Sequence, residues 1–298
     1  MYLSINIDIP DGAGDAYDAL ARTADRVEAA KADFAILARA HGDQGLAPPR
    51  IEPVVSLPWI AGRLRTPLVV AAIPALHSVP FHIARALSAA DFLTDGRCGW
   101  LPLLAGGARF DAAYGVAQPL SGGEALAKYD DFIRATRALW DSWDEDALII
   151  DKASGAYLDS AKVRRVDYRG PYFAAMGPLN AARPPQGHPL LLRDLDEVGE
   201  SATAADVVLG GLDRLDRLAR APKGAVRLLK VTAASLDDGL HHVRDGLADG
   251  LHLMGPDALE LLEALRGWVD CPPYVGTTAR QRLGLRKPVN PYSRKGAA

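Results

Sequence analysis

Six ionisable residues of this chain stand at or near the C-terminal ends of short apolar runs: Asp8, Arg39, His77, Arg193, Asp194 and Lys230. If those runs are strands of one sheet, their ends converge. The six then either neutralise one another as a buried salt-bridge network or line a pocket for a small ligand. The run R-D-L-D-E-V-G-E at 193–200 adds Asp196, Glu197 and Glu200, carboxylates that would stabilise a helix N-terminus and repel any anion placed there. Other chemistries find little support. His241 and His242 have no partners at metal-ligand spacing, so no metal is expected. No G-x-S-x-G frames a serine, and no G-x-G-x-x-G follows the first apolar run, which argues against a serine hydrolase and against ordinary dinucleotide binding.

The elements that must position these residues alternate along the chain. Candidate strands run over Leu3–Ile9, Asp33–Ala38, Pro67–Ile73, Cys98–Leu104, Pro189–Leu192, Asp206–Leu209, Val226–Thr232 and Gly250–Met254. Candidate helices lie between them at Asp15–Lys31, Glu52–Leu64, Pro80–Leu93, Glu124–Trp143, Val198–Ala205, Leu212–Arg220, Leu236–Leu247 and Pro256–Trp268. In the fourth, Leu126, Tyr129, Phe132, Ile133, Thr136, Leu139, Trp140 and Trp143 share one face at 3.6-residue periodicity, which assigns both tryptophans to core packing. Repeated βα units imply a parallel sheet, and eight of them imply an α/β fold of the (β/α)8 TIM barrel type.

A chain of 298 residues with 49% hydrophobic content suits one barrel domain over 1–270, with an excursion at about 147–186 and an extended tail at 271–298. The net charge of −3 and scattered basic residues predict no nucleic-acid or membrane partner. Cys98 and Cys271 form no disulfide framework. With no apolar run of membrane-spanning length and no signal-peptide pattern, a cytoplasmic protein is expected.

The stretch at 143–191, from W-D-E-D-A-L-I-I-D-K through V-D-Y-R-G-P-Y-F-A-A-M-G-P-L-N to Q-G-H-P-L-L, resembles an insertion in one branch of the bacterial luciferase-like flavin monooxygenases. That branch contains nitrilotriacetate monooxygenase, pristinamycin IIA synthase and dibenzothiophene-sulfone monooxygenase. P-F-H-I-A-R at 80–85, D-F-L-T-D-G-R-C-G-W at 91–100 and Y-V-G-T-T-A-R-Q-R-L-G-L-R-K-P-V-N-P-Y at 274–292 extend the resemblance over about Pro53 to Tyr292, with a weak stretch at 194–248. It implies a luciferase-like TIM barrel with a β-rich insertion between the fourth and fifth strands and reduced FMN at the strand ends. The segment before the eighth strand is short, so a more open top is expected.

Position by position, the resemblance also predicts a degenerate flavin site. An Asp facing the pocket is replaced by Arg39, and a hydroxyl-rich strand end by V-A-A-I-P-A-L around Ala72. An Asn is replaced by Leu101, a His and a Tyr by Gly122 and Leu126, and the phosphate-loop hydroxyls by acidic residues including Glu197. No cofactor is therefore expected to bind tightly, with FMN or FMNH2 the cofactor if the family activity is retained. The leading expectation is a non-catalytic or regulatory subunit, in a homodimer or in a heterodimer with a full-length flavin monooxygenase paralogue. The alternatives are an active reduced-FMN-dependent monooxygenase acting on a small organic substrate, and a small-ligand binding protein using the remodelled barrel mouth.

Overall fold

Eight runs rich in Val, Leu, Ile and Ala bury both their faces, as strands of a parallel sheet covered on each side must. They are β1 (Tyr2–Asp8), β2 (Phe34–Ala38), β3 (Leu68–Pro74), β4 (Cys98–Leu103), β7 (Leu190–Asp194), β8 (Val207–Gly210), β9 (Val226–Val231) and β10 (Gly250–Leu253). In the computed structural model, which describes residues 1–8, 15–38, 52–104, 108–116, 118–199, 201–268 and 276–293, they close into one barrel in the order β1-β10-β9-β8-β7-β4-β3-β2. Every pairing in it is parallel. The expected (β/α)8 architecture is the observed one.

Alternation of side chains sorts each strand into two faces. Phe34, Ile36, Leu68, Val70, Leu190, Leu192, Val207, Leu209 and Leu228 fill the barrel, whereas Leu3, Ile5, Ile7, Ala71, Trp100, Leu191 and Leu229 pack outward under the helices. Those helices are α1 (Ala16–Ala30), α2 (Pro53–Ala61), α3 (Pro80–Leu93), α4 (Ala108–Ala113), α5 (Gly122–Trp140), α6 (Leu215–Ala219), α7 (Leu236–Arg244) and α8 (Ala258–Leu265). Ser121 and Glu124 form a reciprocal capping box that starts α5 two residues earlier than expected. No described helix is long and apolar enough to cross a membrane.

The helix expected at Val198–Ala205 is absent among the described residues there. The reason lies 70 residues upstream on α5, where the buried carboxylate of Asp130 accepts bonds from Ser201 Oγ, Ala202 N (3.0 Å) and Thr203 Oγ1 (2.9 Å). A carboxylate that draws backbone and hydroxyl donors into a loop competes directly with helical pairing.

The adjacent Asp131 organises the insertion in the same way. Its carboxylate accepts bonds from Tyr168 Oη, Tyr172 N (2.9 Å) and Phe173 N (2.8 Å), and so holds the small antiparallel hairpin of β5 (Tyr168–Arg169) and β6 (Ala174–Ala175) against α5. Gly170 is required here, because a Cβ at that position would sit 1.9 Å from Asp131 Oδ1.

Residues 276–293, expected to be extended, contain the short helix α9 (Ala279–Arg282) and close the barrel floor. Ala279, Leu283 and Leu285 pack on the interior cluster. Arg280 forks onto Asp206 at 2.8 and 2.7 Å, and Arg282 reaches Asp33 at 3.3 Å. Gly96, at φ +77°, lets the chain approach closely, since a Cβ there would meet the Thr278 side chain at 2.6 Å. The region 271–275, including Cys271, lies outside the described residues.

Candidate functional site

At the C-terminal ends of the strands the barrel opens into a cavity of about 340 Å3. One wall is apolar, built from Ile36 and Ala38 on β2, Ala72 on β3 and Leu101 and Leu103 on β4, while Leu209 on β8 stands among the polar strands. The opposite side carries the polar groups: Asn6 and Asp8 on β1, Asp194 on β7, Lys230 on β9 and His252 on β10. Strand register explains that grouping, because Ser4 lies opposite His252 and His252 opposite Lys230 across neighbouring strands.

Lys230 is the cation of this mouth among the described residues, and it is already engaged. Its ammonium donates to Asp194 and, at 3.0 Å, to Asp196 Oδ2. Burial pulls the Lys230 pKa down, but the charge of Asp194 and the two carboxylate hydrogen bonds outweigh it and leave it raised. Asp196 is drawn further away from the cavity by Gly211 N at 3.2 Å and the Arg214 guanidinium at 3.6 Å.

His252 is 2% exposed, and its Nδ1 lies 2.8 Å from Ser4 Oγ. Burial first, then the nearby Lys230 charge, pushes its pKa down to about 3. The ring is therefore neutral at physiological pH. Its Nε2 makes no hydrogen bond among the described residues, and the ring lines the cavity. Ser4 is fully buried beneath it, so the pair orients the imidazole and presents no accessible nucleophile.

Of the six predicted pocket residues, Asp8, Asp194 and Lys230 converge. Arg39 lies outside the described residues, as does Glu200 of the acidic run. Arg193 points the other way. One residue out of phase with Asp194, it faces the helical layer and donates from Nη2 to Ser201 Oγ at 2.9 Å. His77 is likewise outside the cavity, bonded to Asp111 Oδ1 at 3.0 Å with its ring 4.9 Å from that of Tyr114.

Ala72 and Leu101, at positions the resemblance marks as flavin contacts, line the mouth and offer it no polar side-chain atom. Gly122 and Leu126, on the first turn of α5, do not line it, nor does Glu197. Among the described residues no cluster of three or more His, Cys, Asp or Glu could hold a metal ion. Asn6 and His252 were not singled out from sequence. Their signal was strand parity: each sits on the inward side of an alternating strand, His252 between two leucines.

Comparison with known proteins matches residues 1–216 to the family described as luciferase-like monooxygenase. One component protein of the pristinamycin IIA synthase of Streptomyces pristinaespiralis is 35% identical over 228 residues, covering 74% of this chain and 72% of that protein. Dibenzothiophene-sulfone monooxygenase of Rhodococcus erythropolis is 38% identical over 123 residues, 41% of this chain and 27% of the relative. The chain thus spans well under half the length of that relative. Among solved structures, a long-chain alkane monooxygenase superposes with a TM-score of 0.76 at 16% identity, over 95% of each chain. Riboflavin lyase with modified FMN and riboflavin gives 0.75 at 19%, over 96% of this chain and 97% of that one. At such identities these likenesses speak for the fold.

Proposed function

The chain belongs to the luciferase-like monooxygenase family, and from that premise we propose that it acts as an accessory, non-catalytic barrel subunit that does not grip FMN in the ordinary way. One observation carries this reading: among the described residues no hydroxyl side chain lines the mouth to grip a phosphate, and its cation there, the Lys230 ammonium, is held between Asp194 and Asp196. The described lining does not fit FMN at its phosphate end. Ala72, Leu101 and Leu103 also leave one wall without hydrogen-bonding side chains.

Helix α2 supports the subunit role. Its sequence, PVVSLPWIA, has no charged residue on any face, a composition suited to a helix covered on all sides. Yet Val55 is 74% and Trp59 40% exposed, and Leu93 at the end of α3 is 70% exposed. Such exposed apolar side chains suit contact with a second barrel, either another copy or a full-length paralogue. The similarity to one component of a synthase made of more than one kind of chain favours the paralogue.

The test is titration of the purified chain with FMN, and anaerobically with FMNH2, alone and with the paralogue present. We expect no saturable binding by the chain alone below about 1 mM, a threshold equivalent to roughly 4 kcal/mol of binding free energy. Micromolar binding with substrate turnover by the isolated chain would make it an enzyme in its own right. A small-ligand role is favoured by a separate feature, the neutral His252 imidazole with its free Nε2 facing the same mouth.

A further inference from the structure

We propose that the gap on the outside of the barrel, where the described residues after β7 form no helix, is a binding site for a small organic anion. The outer faces of β7 and β8, the loop residues Leu195, Gly199, Ser201, Ala202 and Ala204 and the end of α6 enclose a cavity of about 360 Å3. It shares no lining residue with the mouth, and its location follows from Asp130 holding the 201–203 loop out of helical form.

Three guanidiniums line this cavity, those of Arg193, Arg217 and Arg220. Arg193 is 7% exposed, its guanidinium lies beside the buried Tyr129 hydroxyl, and its Nε makes no well-formed hydrogen bond. Native interiors rarely leave such a donor unmatched. Arg217 and Arg220 form no ion pair among the described residues. Asp130 lies behind Ser201, which links it to Arg193, and it forms no ion pair with the two exposed arginines. Asp196 and Glu197, expected to repel an anion near this loop, do not line the cavity.

The chemistry of the walls defines the ligand class. Guanidinium forks recognise the oxygens of a phosphate or carboxylate. Leu195, Val208 and Pro222 supply an apolar surface for the body that carries it. An aryl or alkyl phosphate or carboxylate satisfies both, whereas a bare inorganic ion uses only the first.

The experiment is isothermal titration of the full chain with phenyl phosphate and with inorganic phosphate. It compares the wild type with an Arg217→Ala/Arg220→Ala variant, which removes two exposed charges, and with Ala204→Trp, which fills the gap without touching charge. We expect one site, phenyl phosphate bound more tightly than inorganic phosphate, and a loss of at least about tenfold in each variant, as removal of charge-assisted contacts or of the cavity requires. Unchanged circular dichroism spectra confirm that both variants fold. The proposal is overturned if the wild type shows no saturable binding, if inorganic phosphate binds as well as phenyl phosphate, or if either folded variant keeps wild-type affinity.

Discussion

Buried titratable residues with opposite tendencies make the acid response of this protein legible residue by residue. His252 has its folded pKa depressed from 6.5 to about 3, so the stability tied to its neutral form is present above pH 6.5 and is lost as pH falls toward 3. Asp91 runs the other way. Burial raises its pKa from 3.8 to about 6 despite the Gln186 hydrogen bonds, and its contribution is present below 3.8 and lost as pH rises through 6. The two oppose each other between pH 3.8 and 6, which masks both in the wild type alone. A His252→Asn variant separates them: the difference in unfolding free energy between wild type and variant should change by about 1.4 kcal/mol per pH unit between about pH 6.5 and 4. Urea melts at several pH values measure it. A flat difference would mean that the imidazole is not buried as described.

Two adjacent carboxylates on α5 serve two different elements, and a substitution in the insertion reads out one of them. Gly170→Ala drives a methyl group into the Asp131 carboxylate that holds Tyr168, Tyr172 and Phe173. We expect a loss of about 2 kcal/mol in stability and earlier proteolytic cleavage between β5 and β6, as overpacking at a hydrogen-bonded carboxylate implies. Limited proteolysis followed by mass spectrometry locates the cut. At this scale the strands were legible because most are apolar on both faces, β1 alternates, and turn residues bound them. The Val198–Ala205 helix was not, because the carboxylate that dissolves it comes from a residue far away in sequence. The mouth was legible in part. Strand ends named Asp194 and Lys230, but the same reasoning included Arg193 because it ignored the alternation that turns neighbours to opposite faces. His252 and Ser4 became visible only once register placed them side by side.

For the whole molecule, closure and assembly are the testable properties. Arg280, 5% exposed at its side chain, joins the floor segment to Asp206 at the foot of β8. Arg280→Ala should cost about 3 kcal/mol, because it strands a mostly buried carboxylate. Equilibrium urea denaturation checks this, and a change below about 0.5 kcal/mol, the level of a neutral surface substitution, would show that the floor is held by packing alone. The exposed apolar side chains of α2 and α3 make a second expectation. A Val55→Glu/Leu93→Glu variant should fail to co-purify with the paralogue or with itself while its stability stays within about 1 kcal/mol of wild type, as surface changes do. Light scattering of the two samples reports the outcome.

The barrel is sealed between its first and last strands, with Tyr2 opposite Gly250, and its underside is stoppered by residues that follow both. During synthesis, then, the ribosome has made every barrel strand before the ring can shut. Pairings so distant in sequence also slow folding itself. Until β10 emerges, nascent chains of this protein carry two unpaired strand edges, which a holding chaperone or an early-made partner would shield.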